Sequence, residues 1–152
     1  MVLKKLKTVI ANVLIAFCII FIFYIIIGEN WQSRNLEYSI ISSLDEFNYM
    51  YEQGNPENIF IDLRDEEDYE AGHLNQFINV PYNDQSQLVQ FLNKNKYKKK
   101  RIILMCYSSK RAGNAFNELI AEGFRRISVL NFSAEDILSS GNIETGPCNC
   151  LD

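Results

Sequence analysis

Cys106 is the residue best placed for chemistry. It stands between a continuous apolar run, Ile102-Ile103-Leu104-Met105, and a short polar loop, Tyr107-Ser108-Ser109-Lys110-Arg111. The apolar run reads as an interior parallel strand covered on both faces. Beyond the loop, Ala112, Ala115, Phe116, Leu119 and Ile120 recur at helical spacing as far as Glu122, and Gly123 is suited to end that helix. A cysteine at the carboxyl end of a strand, facing the amino end of a helix, lies where open α/β sheets hold ligands. Unpaired backbone N–H groups favour an anion there, and a thiolate is an anion. The N–H groups of Tyr107 through Arg111 can curl around the sulfur as an anion-binding nest, and Lys110 and Arg111 add positive charge. The chemistry implied is nucleophilic attack by sulfur. The competing reading is an inert core cysteine; the loop and the basic pair favour the reactive one.

Few other chemistries fit the inventory. The 152 residues hold one histidine, His73, which leaves little room for a Ser-His-Asp triad or a multi-histidine metal site. The four cysteines (Cys18, Cys106, Cys148 and Cys150) are too few and too unevenly spread for a disulfide scaffold. A net charge of −4 with 47% hydrophobic residues fits a globular protein and argues against a nucleic-acid binder. The run Asp65-Glu66-Glu67-Asp68 could hold a metal, but it reads better as the solvated start of a helix, where carboxylates suit the dipole. No cofactor is expected. The basic stretch from Asn93 to Arg101 reads as a solvated turn rather than a surface for nucleic acid or lipid.

The elements that must position Cys106 follow from patterning. Residues 1–7 form a basic amino terminus, and residues 8–27 carry no charge. About 20 such residues span a bilayer core of about 30 Å. Lys4, Lys5 and Lys7 precede the apolar run, and Glu29 is the first charge after it, so a signal anchor is expected, with a cytoplasmic amino terminus and an exported domain. A cleaved signal peptide competes, but the run is long and no Ala-x-Ala-like site follows. Cys18 falls inside the run as a lipid-facing passenger. Residues 28–37 form a polar linker in which Trp31 suits a membrane interface.

From residue 38 onward strands and helices alternate. Ile40-Ile41 is a brief strand. Ser43-Leu44-Asp45-Glu46 has capping-box spacing and opens a helix that ends at Gly54-Asn55-Pro56. Asn58 to Leu63 and Phe77 to Val80 read as strands, and Asp84 is placed to cap a helix over Gln85 to Leu92. Arg126 to Leu130 supplies a last strand and Ala134 to Leu138 a last helical turn. The fold class expected is α/β, with a mostly parallel sheet of about five strands and helices on both faces.

Three segments together, in order and spacing, resemble the rhodanese family of sulfurtransferases over about residues 38–138. They are Ile61-Asp62-Leu63-Arg64, then Tyr69 to Leu74 followed by Ile78 to Pro81, then Cys106 to Arg111; Leu119 and Gly123-Phe124 fit the helix end that follows. The resemblance implies a doubly wound sheet and ping-pong transfer of sulfane sulfur. The Cys106 thiolate would take the outer sulfur of a small anionic donor such as thiosulfate and pass it, as a persulfide, to a thiol or other thiophilic acceptor. Tyr107, Ser108, Ser109, Lys110 and Arg111 would bind the donor. His73, Asp62 and Arg64 would brace the fold around the loop rather than do chemistry. Related phosphatases have one more residue between cysteine and arginine, which disfavours a phosphatase or arsenate reductase here. A non-catalytic module that binds an anion or a protein is the other alternative. Phe77 replaces a small residue of the family and is placed to reshape the pocket wall; Ser109 stands where the family often has glycine.

Residues 139–152 form a tail rich in turn residues, with Cys148-Asn149-Cys150 near its end. Three readings stay open: an inert tail, a metal-binding pair short of partners, or thiols that resolve the Cys106 persulfide.

Overall fold

The computed structural model describes residues 5, 10, 12–25, 36–83, 85–107, 110–139, 141 and 143–147, and the chain divides into two compact units, Met1–Leu36 and Glu37–Asp152. In the first unit residues 12–25 form a helix, α1, whose side chains, Cys18 among them, are exposed. Among the described residues no helix is long and apolar enough to cross a membrane. Residues 8, 9, 11, 26 and 27 of the expected anchor, with Lys4, Lys7 and Trp31, lie outside the described residues.

The second unit is α/β. Its elements run β1 (Glu37–Ile41), α2 (Leu44–Glu52), β2 (Asn58–Asp62), α3 (Glu66–Ala71), β3 (His73–Leu74), β4 (Phe77–Asn79), α4 (Gln85–Lys94), a 3-10 turn (Tyr97–Lys99), β5 (Arg101–Met105), α5 (Lys110–Ala121), β6 (Arg126–Leu130), α6 (Ala134–Leu138) and β7 (Ile143–Glu144). Five strands form one parallel sheet in the order β1-β6-β5-β2-β4. The two short strands β3 and β7 pair separately and antiparallel.

Central β5 shows why the sheet must be covered twice. Ile102 and Leu104 point into a cluster with Leu88, Leu92, Ala115 and Leu119 of α4 and α5. Ile103 and Met105, alternating with them, join Phe47 of α2, Tyr69 of α3 and Ile137 of α6 on the other face. All four β5 side chains are fully buried, as the unbroken apolar run requires.

The helix boundaries follow local chemistry. Ser43 accepts the Glu46 N–H at the start of α2, and Ser133 and Asp136 form a reciprocal capping box at α6. Gly123, at φ 86°, ends α5 in the left-handed conformation, and the Phe124 N–H returns to the Leu119 carbonyl. Expectation and structure differ at three places. Helix α5 begins at Lys110, two residues earlier than the apolar spacing indicates, so Lys110 and Arg111 occupy its first turn. Phe77, expected at the pocket wall, is instead fully buried among Phe47, Phe60 and Tyr51. The tail holds a short strand that its turn-rich composition does not announce, Ile143 and Glu144 pairing with Leu74 and His73. Asp84, expected to cap α4, lies outside the described residues.

Candidate active site around Cys106

Cys106 directly follows β5 at the carboxyl edge of the sheet and is 1% exposed. Its Sγ accepts a hydrogen bond from the backbone N–H of Ala112, at 3.4 Å, in the first turn of α5. That N–H is one of those a helix leaves without an internal partner, so strand end and helix start converge on the sulfur as the motif requires. Ser108 and Ser109 lie outside the described residues.

Of the two cationic residues beside the loop, Arg111 is held in place by its contacts. Arg111 directs its guanidinium to Asp65, with Nη2–Oδ2 at 3.1 Å and Nη1–Oδ1 at 3.3 Å, and donates to the Leu63 carbonyl. The Arg111 charge keeps the Asp65 carboxyl below the usual carboxylate range, while Asp65 and, more weakly, Cys106 hold Arg111 above its own ordinary value. Lys110 is exposed at the first residue of α5. Tyr107 is 44% exposed, and its ring lies 5.9 Å from the Arg64 guanidinium carbon. A hydrogen bond to Asp68 is the main reason its phenol sits above the usual tyrosine range.

Behind the loop is a buried polar brace. Arg64 donates from Nε and Nη2 to the carboxylate of Asp62 at 2.7–3.1 Å, and from its remaining N–H groups to the carbonyls of Asp68 and Gly72. Asp62 is fully buried; burial lifts its carboxyl above the usual range, against the pull of Arg64. Asn79 ties the backbone carbonyls of Asp62 and Arg64 together. His73 Nδ1 donates to the Tyr69 carbonyl at 2.9 Å, and the two rings stack at 3.7 Å. A carbonyl only accepts, so that nitrogen carries the proton.

Asp65 and Asp68 are contributors the sequence did not reveal. As part of a charge run they look solvated, yet one holds Arg111 and the other Tyr107. Their signal was position: they flank the first turn of the helix that follows Arg64. A cavity of about 320 Å³, lined among others by Arg64, Asp68, Gly72, Tyr107, Leu138 and Ile143, opens beside the loop. A larger one, about 770 Å³, includes Arg101 and Arg126, which start their strands, and so belongs to the opposite sheet edge. Among the described residues no group of three or more His, Cys, Asp or Glu could hold a metal ion.

The sequence model of the Rhodanese-like domain matches residues 43–139. No curated protein sequence matches the chain significantly. Among solved structures, the Rhodanese-like domain of an Anabaena protein is similar at a TM-score of 0.58 and 21% identity, covering 70% of this chain and 80% of that one. A Bacillus halodurans protein is similar at a TM-score of 0.57 and 21% identity, covering 78% and 82%. A single-domain sulfurtransferase of Saccharomyces cerevisiae is similar at a TM-score of 0.56 and 17% identity, covering 70% and 91%. At these identities the likeness is one of fold.

Proposed function

The chain belongs to the Rhodanese-like domain family, and from that premise we propose that it is a sulfurtransferase that carries sulfane sulfur on Cys106. The single observation that carries this reading is the Ala112 N–H directed at the Cys106 sulfur. A helix-start donor aimed at sulfur stabilises thiolate and needs no general base beside it. In the first half-reaction the thiolate attacks the outer sulfur of a donor such as thiosulfate. The donor's S–S bond breaks, sulfite leaves with the electron pair, and Cys106 holds a persulfide. In the second, a thiophilic acceptor attacks the persulfide's outer sulfur and Cys106 departs as thiolate. Lys110 and Arg111 supply the positive field for the departing sulfite. Asp62, Arg64 and His73 keep the strand end and the following loop rigid.

The reading includes placement. Residues 8–27 are a single-pass signal anchor, with the basic amino terminus cytoplasmic and the Rhodanese-like domain outside; the charge-free run and the preceding lysines support it. Protease protection of the amino terminus, but not of the domain, in sealed membrane vesicles tests this orientation.

The catalytic test is turnover of the full chain with thiosulfate and cyanide, or with a thiol acceptor. Cys106-dependent product is expected, and its absence with every sulfur donor tried overturns the reading. Two observations favour a second reading, a module that binds without catalysis: Cys106 is buried and the Arg111 charge is already engaged by Asp65. That module would bind its anion or protein equally well after Cys106→Ser.

A further inference from the structure

We propose that the outer edge of β1 is a homodimer interface, on which a second copy of this chain adds its own β1, antiparallel, about a two-fold axis at Ser39. β1 ends the five-stranded sheet, and among the described residues β6 is its one strand neighbour. Two bonds fix which way its main chain points. The Glu37 N–H donates to the Arg125 carbonyl, and the Ile41 carbonyl accepts from the Asn131 N–H. Residues 37, 39 and 41 therefore turn their N–H and C=O groups toward β6, while Tyr38 and Ile40, alternating with them, turn theirs outward. The same two residues carry exposed apolar side chains, at 61% and 68%. Sheet edges are ordinarily blunted by short strands, proline or charge. The opposite edge, β4, conforms: it is three residues long, with Phe77 and Ile78 buried. β1 has no proline, and its single charge, Glu37, is engaged by Arg101 and Arg126.

Beside this edge lies an apolar groove of about 250 Å³, lined by Tyr38, Ile40, Gly113, Phe116, Val129 and Asn131. The Tyr38 ring meets Phe116 edge-on at 5.8 Å. Helix α5 runs back against the strand direction, so Gly113, about one turn before Phe116, comes level with Ile40. Glycine inside a helix costs stability, and no described neighbour requires one here, since a Cβ at Gly113 would meet nothing within 4 Å. The missing side chain leaves the groove open at that point.

The strand Glu37-Tyr38-Ser39-Ile40-Ile41 matches itself, and this names a second copy as the occupant. With Ser39 opposite the partner's Ser39, Tyr38 stands against the partner's Ile40, and Ile40 against the partner's Tyr38. Those are the residues whose main-chain groups face outward, so each pair exchanges both its N–H···O bonds. Aromatic and β-branched side chains opposite one another stabilise a strand pair. Each tyrosine ring lands beside the partner's Ile40, over the gap that the partner's Gly113 leaves. The two Glu37 carboxylates stay at opposite ends. A one-residue slip would set outward main-chain groups against inward ones, and a two-residue slip would break the aromatic–aliphatic match.

The test oxidises the detergent-solubilised full chain carrying Ser39→Cys, in a background of Cys18→Ser, Cys148→Ser and Cys150→Ser (the last two positions lie outside the described residues). Opposed residues of a non-hydrogen-bonded antiparallel pair have Cα atoms about 4.5 Å apart, within disulfide reach. Linked dimer, located by peptide mass, should form at least about tenfold faster than in the Tyr49→Cys chain, because pairing holds the thiols together. Tyr49 is the more exposed site, so accessibility alone predicts the reverse order. Ile40→Lys, at a position exposed enough to leave the fold intact, sets ammonium groups on diagonal positions of the pair and should lower the rate to that of Tyr49→Cys. Gly113→Leu fills the groove that the partner's tyrosine enters and should slow linking roughly fivefold or more, as overpacking a fitted contact does. Its thermal unfolding when reduced should match or exceed that of the unsubstituted chain, because any residue better than glycine favours the helix. Equal rates at residues 39 and 49, or linking at residue 39 that neither Ile40→Lys nor Gly113→Leu slows, overturns the dimer.

Discussion

The guanidinium of Arg111 rests on the carboxylate of Asp65, two oxygens against two nitrogens at 3.1 and 3.3 Å, one residue before the amide that meets the Cys106 sulfur. The pair joins the first turn of α5 to the segment between β2 and α3. It also spends on a carboxylate the charge that would otherwise face an incoming anion, so the donor and Asp65 compete for one cation.

Asp65→Asn should therefore lower the KM for thiosulfate by roughly fivefold, since a unit charge about 4 Å away is worth about 1 kcal/mol in water and this pair is open to it. Both partners are over a third exposed, so stability should change by less than about 1 kcal/mol. The pH dependence has a definite sign. The folded carboxyl sits below its ordinary value, so the pair's stabilisation is complete above that ordinary value and is lost as pH falls through the lower, folded one. Thiosulfate KM measured against pH should show the wild type approaching the variant only at the acid end.

The Asp62–Arg64 pair is a different case, because both side chains are almost wholly buried. Arg64→Met leaves a carboxylate at 0% exposure without its fork and strips the Asp68 and Gly72 carbonyls of a donor. The expected loss is about 3–5 kcal/mol in urea unfolding. Burial already raises the Asp62 carboxyl, and losing Arg64 raises it further. A carboxyl raised in the folded state destabilises as pH climbs from its unfolded value through its folded one. The loss should thus be smaller at roughly pH 4 than at roughly pH 8. Equal losses at both would show that Asp62 stays charged in the variant.

Much of this was legible in the residues. The unbroken apolar run of β5, the Ser43 cap, the stop at Gly123 and the placement of Cys106 at a strand end all rest on short-range rules, and each is present. What was not legible is non-local. Ser-Ser-Lys-Arg carries no apolar periodicity, so the start of α5 at Lys110 had no signal in its own residues. β3 and β7 are two residues each and lie about seventy apart in the chain, too short for any period to register. The Asp65–Arg111 contact hides in a charge run because a solvated carboxylate and a paired one read alike. β1 extends back to Glu37 on the sheet's edge, where Tyr38 stays exposed and burial leaves no mark.

Gly123→Ala isolates a backbone effect. At φ 86° an alanine is strained, and the new Cβ would meet only the end of the Lys98 side chain at 3.6 Å, an ordinary contact. The loss should be about 1–2 kcal/mol, from conformation alone. Thermal unfolding measures it, and thiosulfate turnover at temperatures well below the transition should be unchanged. A loss of turnover at those temperatures would mean that the end of α5 communicates with its start.

Cys106→Ser separates the enzyme from the binding module. Serine keeps an acceptor for the Ala112 N–H and removes little volume, so the fold should survive with a loss of about 1 kcal/mol. A hydroxyl cannot hold sulfane sulfur, so turnover should fall roughly a thousandfold or more, as when an enzyme loses its nucleophile. Thiosulfate binding, measured by calorimetry on the same sample, should persist, because Lys110, Arg111 and the backbone amides remain. Binding kept with turnover lost assigns the sulfur chemistry to residue 106. Turnover kept in the serine variant would remove the persulfide from the mechanism and leave the loop as an anion cradle.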